Sequence, residues 1–363
     1  MNGTVASRVM RPLFDLARRR QRFLRETVLH DGRPPGWTTA NRVVVDRPAF
    51  RLREFLREDG GTPAPVTDGG VPVLVVPPEV NHSAIVDFAP GQSLVRAMLD
   101  AGFSRVAAVE WRSVGPETAG RDIDDSVADI LRCIRALGGR VHLVGVCQGG
   151  WESSIAAALE PEMVRTLTLA AAPIDFHAGE GMIKHVARTM PLPAYQLLVA
   201  LGAGRMEGEL ISAGFDNLLP FERYVLDSLA VWNHLDDEEW MGRFRQMRDW
   251  YRSPKDLPGP MYLRAVRELF KENRLIRGEL TVLGRPVDLS RITCPLVLVA
   301  GAKDHITPAP QVLAARSAMG SRDVLVIETP GGHVGSFMGR RELAESWPGI
   351  FEWLRARSTA PGT

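Results

Sequence analysis

The stretch from Val141 to Gly150, Val-His-Leu-Val-Gly-Val-Cys-Gln-Gly-Gly, constrains this chain more than any other part of its sequence. Its apolar, β-branched start reads as a buried strand, and the alanine-rich run Trp151–Leu159 reads as a helix. Almost no loop is left between them. The chain must turn sharply at Cys147, in a backbone conformation strained enough that its neighbours two positions away on either side have to be small. Gly145 and Gly149 meet that demand. A strand–turn–helix of this kind, with a nucleophilic residue at its apex, is a nucleophile elbow, here with cysteine at the corner. The helix start behind Cys147 puts positive potential at the sulfur, and the backbone N–H of Gln148 points where an oxyanion would form.

The surrounding pattern is that of an α/β protein. Strand-like runs fall at Val71–Val76, Val106–Val109, Val141–Val144, Leu167–Leu169, Leu296–Ala300 and Val324–Ile327. Helical stretches between them are expected at Gln92–Ala101, Asp124–Leu137, Trp151–Leu159, Gln311–Ala318 and Arg341–Leu354. Apolar strands separated by helices predict a mostly parallel sheet covered on both faces. With the elbow, this gives the α/β-hydrolase fold as the expected class. Val43–Val45 and Phe50–Phe55 read as edge strands or a helix start. The alternation fails over 177–291, which carries Phe215, Phe221, Tyr224, Trp232, Trp240, Phe244, Trp250 and Tyr251. An insertion of that size predicts a helical cap over the strand ends, where open α/β sheets bind ligands. The expected organisation is an N-terminal helical and edge segment at 1–70, a core at 71–176 and 292–357, and the cap at 177–291. Leu13, Phe14, Ala17, Leu24 and Val28, set among arginines, suggest an amphipathic first helix that packs on its own domain or docks on a partner or lipid-like surface. The tail Ser358–Thr363 is expected to fray.

In a hydrolase-type triad the acid and base follow the nucleophile in chain order, in loops after late strands. Asp304 lies after Pro295–Gly301, and His333, flanked by glycines, lies after Val324–Ile327. Asp175, after the preceding strand, is a rival acid. For the second oxyanion donor, Pro77 and Pro78 offer no N–H, which leaves Val80. Asn81, His82 and His305 are candidates to line the substrate pocket, although a solvated loop position suits His82 better. The remaining histidines have no metal-ligand spacing, and no metal or cofactor is expected.

Composition bounds the partners. The 363 residues carry a formal net charge of +1, which gives no electrostatic case for nucleic acid. The other cysteines, Cys133 and Cys294, read as packing residues. Three scattered cysteines make no disulfide framework and point to a reducing cytoplasm. No apolar stretch suits a signal peptide or a membrane span.

Gly145-Val-Cys-Gln-Gly-Gly150 resembles the cysteine lipase-like box of polyhydroxyalkanoate synthases. Val76-Pro-Pro-Glu-Val-Asn81, Ser93–Arg96, Ala172-Pro-Ile-Asp-Phe176, Leu257–Met261, Tyr262–Arg264, Glu272-Asn-Arg-Leu275, Gly284–Leu289, Asp304-His-Ile-Thr-Pro308 and Gly331-Gly-His333 agree with it. The chain is most similar to the short catalytic subunits that work with a second subunit (class III). The resemblance implies Cys147, Asp304 and His333 as the triad, a 3-hydroxyacyl-CoA or related acyl thioester as substrate, and a second subunit or homodimer as partner. It also implies a polymer-granule surface as a site of work. Three segments depart from the family's pattern: His82-Ser-Ala84, where a basic residue and an aromatic pair are usual, Trp111–Val114, where Trp-x-Asn-Pro is usual, and Tyr251-Arg-Ser-Pro254 after Trp250, where an aspartate is usual. A thiol suits thioester exchange, so the expected activity is acyl transfer that polymerises 3-hydroxyacyl-CoA with release of CoA. A thioesterase, esterase or polyester hydrolase using the same residues is the alternative, and a catalytically silent granule or interaction protein is a third.

Overall fold

The computed structural model describes residues 3–27, 34–56, 58–59, 62–63, 70–217 and 226–358. The expectations for Phe221, Tyr224, Val28, the side chains of Leu13 and Phe14, and the tail beyond Ser358 lie outside the described residues. By internal contacts the chain forms two compact units. One is Met1–Pro35 with Glu209–Pro254, and the other is Gly36–Gly208 with Lys255–Thr363. These divisions differ from expected boundaries near 70, 176 and 291. Residues from Gly36 join the sheet unit. The two ends of the expected cap are tied there by hydrogen bonds such as His177 N–H to Asp175 Oδ1 (2.9 Å) and Val114 N–H to the Asp256 carbonyl (3.1 Å).

In the smaller unit, helix α1 (Gly3–Thr27) packs with helices Asp227–Asn233 and Glu238–Tyr251. Phe23 meets Trp232 edge-on at 5.6 Å, and Arg19 donates to Asp236 (2.9 Å) and to the Trp232 carbonyl (2.8 Å). The amphipathic helix thus packs within its own unit, while Leu16 and Leu24 on it stay exposed.

The larger unit is built on an eight-stranded sheet. Its strands are β1 (Asn41–Asp46), β2 (Phe50–Phe55), β3 (Val73–Val76), β4 (Val106–Trp111), β5 (Val141–Val146), β6 (Val164–Ala170), β7 (Leu296–Gly301) and β8 (Val324–Thr329). They lie in the order β1-β2-β4-β3-β5-β6-β7-β8. The β1–β2 and β2–β4 pairs are antiparallel, and all later pairs are parallel. The two early runs therefore form strands rather than a helix, β1 at the edge of the sheet and β2 paired on both sides. Strands β3 to β7 are buried except at half-buried Arg165, as parallel strands covered on both faces must be. Strand β8, at the edge, is only half-buried.

Helices α2 (Leu94–Asp100), α3 (Ile123–Ala136) and α4 (Gln148–Leu159) follow β3, β4 and β5. Helix α3 starts on a capping box between Asp122 and Asp125. Two expected helices are broken. The Gln311–Ala318 run divides at Ala314, and Arg341–Leu354 divides at Ser346, where Pro348 starts a new helix because it has no N–H to continue the old one. Ser358 is not frayed: its hydroxyl bonds the buried His142 ring at 2.9 Å. Among the described residues, no helix is long and apolar enough to cross a membrane.

Candidate active site

The register of β5 sets the site. Gly145 pairs with Val76 of β3 and Val146 with Ala170 of β6, so the chain leaves the middle of the sheet at Cys147. Cys147 adopts φ 52, ψ −119, a left-handed conformation costly for a residue with a side chain. The strain is held by close packing. A Cβ on Gly149 would lie 2.1 Å from the Val76 carbonyl oxygen, and one on Gly145 would lie 2.5 Å from the Gly150 Cα. Gly150 is equally tight against Ala172, at 2.2 Å. Helix α4 begins at Gln148 directly behind the thiol and is buried throughout.

His333 and Asp304 meet at the same end of the sheet. The loops after β7 and β8 are stitched together by Ala302 N–H to the Thr329 carbonyl (2.8 Å) and Lys303 N–H to the Gly331 carbonyl (3.1 Å). The approach needs Gly301, where a Cβ would sit 2.5 Å from Ser336 Oγ. Asp304 Oδ1 accepts the N–H groups of Ile306 (2.9 Å) and Thr307 (2.8 Å), and its Oδ2 takes the Nδ1 of His333 at 2.8 Å. Cys147 stands close enough to the His333 ring for its charge to act on the imidazole. Burial disfavours the imidazolium, but the negative charge of Cys147 and Asp304 more than offsets this and the pKa is pushed up to about 10. Asp175 points elsewhere, with its Oδ1 accepting from Asn273 and from the His177 N–H (2.9 Å).

The other expected residues are placed less uniformly. Val80 is half-buried in the turn after β3. Asn81 beside it is buried and left-handed (φ 65), and its Oδ1 has no partner among the described residues. His82 is not a solvated loop residue. Its Nδ1 accepts the Ala84 N–H (3.2 Å) and caps the short turn Ser83–Val86, and burial with Lys255 nearby pulls its pKa down to about 4. His305 is exposed. Cys133 is fully buried, with its thiol pushed well up by burial, and burial pushes Cys294 up to about 11.

Sequence reasoning passed over a buried polar network beneath the elbow. Gln148 Nε2 donates to Glu152 Oε1 (3.0 Å), and Ser126 Oγ donates to Glu79 Oε1 (2.5 Å). Lys255 donates to the Trp111 carbonyl and to Ser83 Oγ (3.4 Å), and burial pulls its pKa down to about 8. The available signal was Glu152 itself, an acid in a helix otherwise made of small and apolar residues.

Residues 56–320 match the family described as Protein of unknown function (DUF3141). The chain belongs to that family. This DUF3141 member is also 28% identical, over 326 residues, to the poly(3-hydroxyalkanoate) polymerase subunit PhaC of Haloferax mediterranei. The match covers 88% of this chain and 64% of that relative, so the chain spans a little under two thirds of its length. The subunit of the same name from Allochromatium vinosum is 27% identical, over 79% of this chain and 81% of its own. The resemblance to polyhydroxyalkanoate synthases therefore holds along most of the chain. Among solved structures, mouse alpha/beta hydrolase domain-containing protein 10 superposes with a TM-score of 0.51 at 16% identity, over 88% of this chain and all of that one. The fold is the α/β-hydrolase fold.

Proposed function

We propose that this DUF3141 member is an acyltransferase of the polyhydroxyalkanoate-synthase type, acting through a Cys147 acyl-enzyme. The observation that carries the reading is a cysteine at a strained elbow beside a histidine whose Nδ1 is fixed by a buried carboxylate. The names of its relatives supply the polymer class, poly(3-hydroxyalkanoate), and the proposed acyl donor is a 3-hydroxyacyl-CoA thioester. A second subunit or a second copy of the chain is proposed as partner, in the cytoplasm at a polymer surface.

In this scheme His333 Nε2 already holds the Cys147 proton, and the thiolate attacks the thioester carbonyl. The N–H of Gln148, with Val80 as the second donor, holds the oxyanion. Collapse expels CoA, which leaves with the proton from His333. The new thioester is nearly isoenergetic with the old one, so the acyl group stays activated. An incoming hydroxyl then gives its proton to His333 and attacks, the ester forms, and Cys147 is regenerated. Asp304 keeps the ring proton on Nδ1 and stabilises the imidazolium throughout.

The test is product analysis with 3-hydroxybutyryl-CoA. Transfer predicts CoA release with ester-linked oligomers and little free acid. One free 3-hydroxy acid per CoA, with no material growing in length, would make the enzyme a thioesterase.

A further inference from the structure

Beneath the elbow lie two buried carboxyl groups that the scheme above does not use. Glu152 is fully buried one helical turn into α4, and Glu79 is 9% exposed in the loop after β3. These segments carry the two assigned oxyanion donors, Gln148 at the start of α4 and Val80 next to Glu79. Glu152 Oε1 receives Gln148 Nε2, but Oε2 has no donor among the described residues, and the Glu79 carboxyl stands beside the Glu152 carboxyl. Two carboxylates in contact and out of water cannot both ionise, and a buried oxygen without a donor is costly. One proton between them removes both problems.

We propose that Glu79 and Glu152 share a single proton and act as a positioning pair, clamping the Gln148 and Val80 segments at the spacing the oxyanion needs. The pair rests on the assignment of Cys147 as nucleophile. The surroundings decide which partner keeps the charge. Glu79 receives the Ser126 hydroxyl and faces Arg121 and Lys255 as well as Asp129, whereas Glu152 faces Glu79 and the negative charge of Cys147. Glu79 is therefore the carboxylate. Glu152 is the acid, with Oε2–H donating to Glu79 and Oε1 accepting from Gln148. Burial raises the pKa of both groups, and that of Glu152 further because Glu79 stands beside it. When the shared proton leaves at alkaline pH, two carboxylates repel across the donor site and the donors part.

The test compares the full chain with Glu152→Gln and Glu152→Leu. Glutamine keeps the donor to Glu79 and the acceptor for Gln148 without a proton to lose, and leucine keeps neither. The pair predicts that Glu152→Leu lowers kcat roughly tenfold to a hundredfold with little change in KM, as small misplacements at a reacting centre do. It predicts that Glu152→Gln restores the rate and removes an alkaline limb present in the wild type. It also predicts an infrared carboxylic-acid C=O band in the wild type at neutral pH that is missing from Glu152→Gln. This band needs no substrate, so it tests the pair even if no form of the protein releases CoA, a result that would sink the acyltransfer reading instead. If Glu152→Leu does not fold, the pH profile and band of Glu152→Gln decide. A band absent from the wild type, an alkaline limb unchanged by Glu152→Gln, or Glu152→Gln as impaired as a folded Glu152→Leu overturns the pair.

Discussion

Replacing Asp304 by asparagine separates orienting the base from shaping the loop, and the structure sets the size of the effect. Asp304 Oδ1 holds two backbone N–H groups, at 2.9 Å and 2.8 Å, and Oδ2 faces His333 Nδ1 at 2.8 Å. In Asp304→Asn the amide oxygen keeps the two backbone bonds, which turns the NH2 group toward His333. Nδ1 must then accept, the ring proton moves to Nε2, and the imidazole can no longer take a proton from Cys147. Flipping the amide restores the productive tautomer but strands the N–H groups of half-buried Ile306 and buried Thr307, at about 2 kcal/mol each. A penalty of about 4 kcal/mol on the active form is roughly a thousandfold in kcat. The assay is the single-turnover rate of CoA release at neutral pH, with circular dichroism to confirm the fold. Asp175→Asn should cost far less, because its partners are Asn273 and the His177 N–H. A loss of under tenfold in Asp304→Asn, or a larger loss in Asp175→Asn, would refute the assignment of Asp304 as the residue that orients the base.

Three further outcomes follow from the packing and charge around the site. Gly149→Ala drives a Cβ to within 2.1 Å of the Val76 carbonyl oxygen, so the urea midpoint should fall by an amount worth about 1–3 kcal/mol and activity should drop with it; a variant as stable and active as the parent would contradict this. His142 is fully buried between Thr166 and Ser358, and burial pulls its pKa from 6.5 to about 4. The unfolded chain therefore takes the proton first as pH falls, and stability is lost between pH 6.5 and 4, up to about 3 kcal/mol from this group. His142→Gln should flatten its share of that acid limb in urea melts, with His82 keeping its own. Iodoacetamide on the folded protein should label Cys147 alone, since Cys133 is buried and Cys294 is pushed up to about 11; peptide mapping that finds Cys294 labelled equally fast would count against it.

How much was legible in advance depended on how local the cause was. The elbow could be read because its demands fall on neighbours in sequence: Gly145, Cys147 and Gly149 are constrained by a turn they make themselves. The meeting of His333 and Asp304 could be read because both lie just after strands that announce themselves by unbroken apolar runs. The breaks at Ala314 and Ser346 were smoothed over, since apolar spacing continues across both. The unit boundaries could not be read. Which helices gather with α1, and which stay with the sheet, is set by pairs such as Arg19–Asp236 that lie far apart in sequence. The Glu79–Glu152 contact was hidden for the same reason, because each residue alone looks like an ordinary charged position.

The most direct test of the central claim is the mass of the intact protein after rapid mixing with 3-hydroxybutyryl-CoA, followed by peptide mapping. The account predicts a thioester-linked 3-hydroxybutyryl adduct on the peptide containing Gly145–Gly150, formed as CoA is released and absent from Cys147→Ala. CoA release at the wild-type rate from Cys147→Ala, or an adduct that maps to any other residue, would contradict it.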